Sequence, residues 1–226
     1  MNVVVCVESG PISRATEAAL ELAGGLGGPT EIVALCATDG PEPELRLTRQ
    51  MRLSRLVVVR EPRFAACDPY VMGQLLACAA NHLHASMVVL GSRSDVYGSG
   101  MTGAVVAKFL EWPLVSRVES MRLDAAWPTA IISDVRTGGR HARIQIPLPN
   151  ILTTAPRAPA GGRRRIGTLV APPATEHLAI ETLGMSHELL HSIRNPSTEI
   201  ESFADKVITA VSAADLMEKL MRIPPP

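Results

Sequence analysis

Short, uninterrupted apolar runs alternate with helical patterns through the first half of this chain, and that alternation restricts its fold most. "NVVVCV" (2–7), "EIVALCAT" (31–38), "RLVVVR" (55–60) and "SMVVLG" (86–91) are continuous runs, not alternating ones. A strand that is apolar on both sides is one buried on both sides, the condition of a parallel sheet covered by helices. Between these runs the apolar residues recur at helical spacing. Residues 13–26 end in Gly24-Gly25, a stop signal. Residues 43–53 read as an Arg-rich amphipathic helix, and 68–84 open with Asp68-Pro69, the order of an N-cap and first turn. Residues 100–112 read as a further helix that Pro113 stops, followed by a fifth strand over 113–123. Such β-α repeats wind into a mostly parallel α/β sheet with helices on both faces. Ligands of doubly wound sheets sit beyond the carboxyl ends of the strands, where the strand order reverses.

The pattern changes after residue 124. Residues 129–135 and 141–148, joined by "TGGR", read as a β-hairpin, and 150–154 as another short strand. "APRAPAGGRRRIG" (155–167) is too rich in Pro, Gly and Arg for a regular element. Beyond it come a short apolar helix pattern (176–191), a strand-like 204–210 and a helix over 212–221 with Ser212 as its cap. The expected division is a nucleotide-binding core (1–124), a hairpin extension with the Arg-rich loop (125–170), and a tail (171–226) with too few apolar residues for a core of its own. Such a tail wraps over the α/β core or over another chain.

Composition narrows the function. The 226 residues carry 22 basic and 22 acidic side chains, which gives no general attraction to nucleic acid or to an anionic membrane. No run approaches the ~20 apolar residues of a membrane span, and no signal peptide is visible, so a cytoplasmic protein is expected. The four cysteines show no CxxC or Cys/His metal spacing and read as structural thiols. His82 and His84 do not share a helix face; His187 and His191 do, without a third ligand nearby in sequence. No metal site and no catalytic residue is expected. Trp112 and Trp127 read as packing residues.

The loop after the fourth strand, "GSRSDVYGSGMTG" (91–103), carries the chemistry. Gly91, Gly98, Gly100 and Gly103 permit close backbone approach, and Ser92, Ser94, Ser99 and Thr102 supply hydroxyl donors. The helix that follows turns its free N–H groups and positive dipole end into this loop, an arrangement that holds a phosphate without lysine. Arg93 adds a charged fork. The loop is neither a Walker A sequence nor a dinucleotide fingerprint. The first loop, "VESGPIS" (7–13), is its neighbour in a doubly wound sheet. There Glu8, Ser9 and the loop backbone are placed to line a base or ribose, and Asp39 in "TDG" closes the same rim.

These residues resemble the beta subunit of electron transfer flavoproteins. The resemblance lies in Leu90-Gly91, Ser99-Gly100, Thr102-Gly103 and Leu110-Glu111-Trp112-Pro113, with support from "VVVCVESGP", "LPNILTTAPR", "IETLGM" and "NPSTEIE" in family order. It implies an adenine nucleotide alpha hydrolase-like fold and a heterodimer with an alpha subunit. It also implies FAD held mainly by that partner, and AMP or a second FAD in this chain. The phosphate would lie on Ser94, Ser99, Gly100, Met101 and Thr102, and the adenine against Val7 to Ser9. The implied role is electron carriage, without catalysis, from a flavin-dependent dehydrogenase to a quinone oxidoreductase or other acceptor. The family's leucine-anchored recognition loop corresponds to 155–167, which has no leucine but offers Arg157, Arg163, Arg164 and Arg165 to an acidic partner face. Two alternatives stand beside this reading. One is a universal-stress-type nucleotide-binding regulator, which "VVLGSRS" also resembles. The other is a beta subunit that has lost its nucleotide and serves as a scaffold.

Overall fold

The computed structural model describes residues 1–11, 13–27, 29–45, 53–62, 64, 67–93, 99–125, 130–137, 140–155 and 173–185. The four apolar runs become β1 (Asn2–Val7), β2 (Glu31–Thr38), β3 (Leu53–Arg60) and β4 (Met87–Leu90). Three helices follow the expected patterns: α1 (Arg14–Gly24), α2 (Pro69–His82) and α3 (Thr102–Leu110). Their ends obey local chemistry. Ser13 caps α1 by accepting the Thr16 N–H, and Asp68 caps α2 by accepting the N–H groups of Tyr70 and Val71. After α3, Glu111 takes a left-handed conformation before Pro113.

The remaining strands are β5 (Leu114–Leu123), β6 (Ala130–Thr137), β7 (Arg140–Pro147), β8 (Asn150–Thr154) and β9 (Thr175–Leu178). All nine lie in one sheet in the order β7-β6-β5-β8-β4-β1-β2-β3-β9. The hairpin expected after residue 124 is present as β6 and β7, antiparallel to each other, with β6 antiparallel to β5. The strand expected over 150–154 does not extend the hairpin. It inserts between β4 and β5, parallel to both. All five of its residues are buried, as an interior position requires.

Alternate residues of each interior strand face opposite layers. Val3, Val5, Ile32, Ala34, Met87 and Leu152 pack with Ala19, Leu20 and Ala23 of α1 on one side. Val4, Val33, Leu35, Val57, Val88 and Ile151 pack with Leu75, Leu76, Ala79 and Val106 of α2 and α3 on the other. The sheet is therefore covered on both faces, as the continuous apolar runs dictate. Leu20 is fully buried, a contribution of roughly 2 kcal/mol for one side chain.

Two helix expectations are corrected. Pro43–Leu45 is not helical, and Leu53 already belongs to β3; residues 46–52 lie outside the described set. Glu44 instead bridges Pro11 and donates its N–H to the Gly10 carbonyl at 2.8 Å, so this stretch runs extended across the first loop. The apolar pattern over 176–191 begins as a strand. Residues 175–178 add to the open edge of β3, and Ile180–Leu183 form a single 3-10 turn ended by left-handed Gly184. The unpaired edge of β3 supplies backbone partners that a helix there would leave unused. The rest of that helix, the 204–210 strand, the 212–221 helix and the Arg-rich loop lie outside the described residues.

Candidate functional site

The chain runs from β1 outward through β2 to β3, then crosses back to place β4 on the other side of β1. The loops that leave β1 and β4 therefore diverge at a switch point, and a cleft opens between them. Its volume is about 150 Å³. Its walls include Val7, Glu8 and Ser9 after β1, and Gly91, Arg93 and Thr102 from the β4–α3 connection. The floor is apolar: Cys6, Ala37 and Leu90 from strands, with Met72 and Leu76 from α2. Ala15 and Thr16 from the first turn of α1 complete it.

Six of the expected residues thus come together in one cleft: Val7, Glu8, Ser9, Gly91, Arg93 and Thr102. Ser99, Gly100 and Met101 stand exposed at the entrance to α3 and do not line it. Asp39 is exposed in the turn after β2, and its neighbour Ala37 is the lining residue. That turn is fixed by Thr38 Oγ1, which accepts the Gly40 N–H at 2.9 Å, and by Arg60, which donates to the Gly40 carbonyl at 2.6 Å. Ser94, Gly98, Arg157, Arg163, Arg164 and Arg165 lie outside the described residues. The α1 and α2 contributors were not foreseen. Met72 and Leu76 carry no local signal that separates a cleft floor from an ordinary buried helix face.

The approach to α3 turns through a left-handed glycine. Gly100 has φ +66°, and a side chain there would be strained and would press on the Ser92 carbonyl at 3.1 Å. The Met101 N–H donates to Ser99 Oγ at 3.3 Å. Met101 occupies the cap position of α3 and provides no side-chain hydrogen bond to the helix. The first turn of α3 therefore has no side-chain acceptor from its cap residue for its N–H groups. Gly103 seats this helix tightly: a methyl group there would fall 2.7 Å from the Thr153 side chain of β8.

Cys6 is a neutral part of the floor. Burial, and secondarily the nearby Cys36, push its thiol up to about 12. Among the described residues, no group of three or more His, Cys, Asp or Glu side chains is arranged to hold a metal ion. A second hollow of about 180 Å³ lies between Ala18, Glu21 and Leu22 of α1 and Val118–Met121 of β5. Ser120 there donates to Asp134 and Glu119 pairs with His141, so these polar groups serve the hairpin. Among the described helices, none is long and apolar enough to cross a membrane.

No curated protein matches the sequence. The family model of the electron transfer flavoprotein domain matches residues 3–179, from β1 through β9 and including both loops of the cleft. With that match over most of its length, and a doubly wound sheet opening a cleft at its switch point, the chain belongs to the electron transfer flavoprotein family.

Proposed function

We propose that the chain is the beta-type subunit of a heterodimeric electron transfer flavoprotein. In this reading it binds AMP or a second FAD in the cleft between the first loop and the 91–103 loop. The observation that carries this is the meeting of Glu8, Ser9, Arg93 and Thr102 at the switch point, ahead of a helix whose own side chains do not cap it. Arg93, the Thr102 hydroxyl and the first N–H groups of α3 supply charge and donors suited to a phosphate. Met72, Leu76 and Leu90 supply an apolar surface suited to a base. A nucleotide bound there would tie the β1 and β4 loops together.

An FAD shared with an alpha subunit supplies the electron-carrying chemistry when bound. The chain's own role is to hold that assembly and present it to a donor dehydrogenase and to an acceptor such as a quinone oxidoreductase. Arg157, Arg163, Arg164 and Arg165 provide a cationic docking loop for an acidic partner face. The β6–β7 hairpin, the inserted β8 and the added β9 support this reading over a stress-type regulator, which has no use for elements beyond its fifth strand.

The test is to purify the protein with its partners from its native host, denature it and identify the released molecules by mass spectrometry. AMP with one FAD and an alpha-type chain is the expected result; two FAD would place a flavin in the cleft. ATP released from a homodimer would overturn the proposal. An alpha-type partner without any second nucleotide would leave only the scaffold role.

A further inference from the structure

The loops that frame the cleft are gripped by a single helical turn. Thr16 in the first turn of α1 is 2% exposed. Its Oγ1 accepts the backbone N–H of Glu8 at 3.3 Å and the hydroxyl of Ser13 at 3.1 Å. Ser13 Oγ accepts the Thr16 N–H at 3.1 Å in return, which locks the turn. One residue earlier, Ala15 meets the other loop. A methyl group at Gly91 would sit 2.5 Å from the Ala15 Cβ and 3.2 Å from its carbonyl carbon. The same turn therefore holds the β1 loop by a hydrogen bond and the β4 loop by direct contact. Both Ala15 and Thr16 also line the cleft.

We propose that this turn is the positioning element of the nucleotide site, with Thr16 fixing the Glu8 backbone and the Ala15–Gly91 contact fixing the separation of the two loops. The identity of the ligand rests on the function proposed above; the positioning role rests on the contacts. Without the Thr16 acceptor, the Glu8 segment loses its anchor to α1. With a larger side chain at 15, the β4 loop is forced outward, because Gly91 has no atoms left to give up. Neither residue needs to touch the phosphate for these changes to alter binding.

Thr16→Val keeps the shape and removes the acceptor, whereas Thr16→Ser keeps the acceptor. The full chain, purified with its partner, is compared in both forms by amide hydrogen exchange and by titration with AMP. Thr16→Val is expected to speed exchange at Glu8 and Ser9 and to weaken AMP about tenfold, and Thr16→Ser to restore both. Ala15→Val is expected to weaken AMP without changing exchange at Glu8. Unchanged exchange at Glu8 and Ser9 in Thr16→Val, or no rescue by Thr16→Ser, would overturn the positioning role. If the unaltered chain binds neither AMP nor FAD, the nucleotide reading falls, and the exchange comparison alone decides for or against Thr16. If Thr16→Val does not fold, Ala15→Val decides: AMP affinity equal to that of the unaltered chain would overturn the proposal.

Discussion

Cys6 on β1 lies opposite Leu35 and Cys36 on β2 lies opposite Val7, so the two thiols are offset by one residue and face opposite layers of the sheet. Burial raises both thiols from the ordinary 9.0 to about 12; for Cys36, Arg60 partly offsets the burial while Glu42 and Glu8 add to it. The sign of the consequence follows from which state holds the proton. Between 9.0 and about 12 the unfolded chain releases these protons and the folded chain keeps them. The stabilisation is therefore complete below the unfolded value and is lost as pH rises through that window. Urea denaturation at about pH 8 and about pH 11 should show falling stability, with a shallower fall in the Cys6→Ala/Cys36→Ala double variant. Parallel pH profiles for the two proteins would remove the thiols as the cause. At neutral pH, Cys6 should resist alkylation in the folded protein although it lines the cleft.

β8 shows how an element can be recognised without being located. "NILTT" is a strand on composition, but two apolar, two hydroxyl and one amide residue say nothing about which neighbours they join. Its place between β4 and β5 follows from two partners that are far apart in the chain, and both pairings are parallel. Leu152 faces the α1 layer and Ile151 the α2 and α3 layer, so the strand contributes to both halves of the core. Leu152→Ala should cost about 3 kcal/mol in equilibrium denaturation, within the range for buried leucines. A loss below about 1 kcal/mol would mean that β8 is a removable insertion and not a structural centre. β9 makes the complementary case. The "TEHL" segment is mostly exposed and strand-like only because β3 offers it an edge.

At the scale of the molecule, equal numbers of acidic and basic residues leave no net field to draw in a partner. In the docking proposed above, attraction would come from local charge, and the run containing Arg163, Arg164 and Arg165 is the densest basic stretch in the sequence. If that loop meets an acidic dehydrogenase, complex formation should weaken as salt is added, and replacement of these three arginines by glutamine should flatten that dependence. Surface plasmon resonance with the donor at a series of ionic strengths measures this. Salt-independent binding would point to an apolar anchor instead.

The periodicity of the chain by itself determined the doubly wound sheet, since runs such as Val3-Val4-Val5 and Val57-Val58-Val59 are compatible only with burial on both faces. The Asp68-Pro69 pair also gave the cap of α2, because Asp68 acts on amides two or three residues away. The loop at 91–103 stood out through residue type alone, and Gly91, Arg93 and Thr102 of it line the cleft. Only the tertiary structure decided that β8 lies in the centre of the sheet, that residues 175–178 pair with β3, and that Pro43–Leu45 runs extended beside Gly10. It alone brought Ala15, Thr16, Met72 and Leu76 to the cleft. Local propensities reach along a few residues of chain, whereas a cleft between two loops is set by strand order, which depends on contacts between distant segments and leaves no local trace.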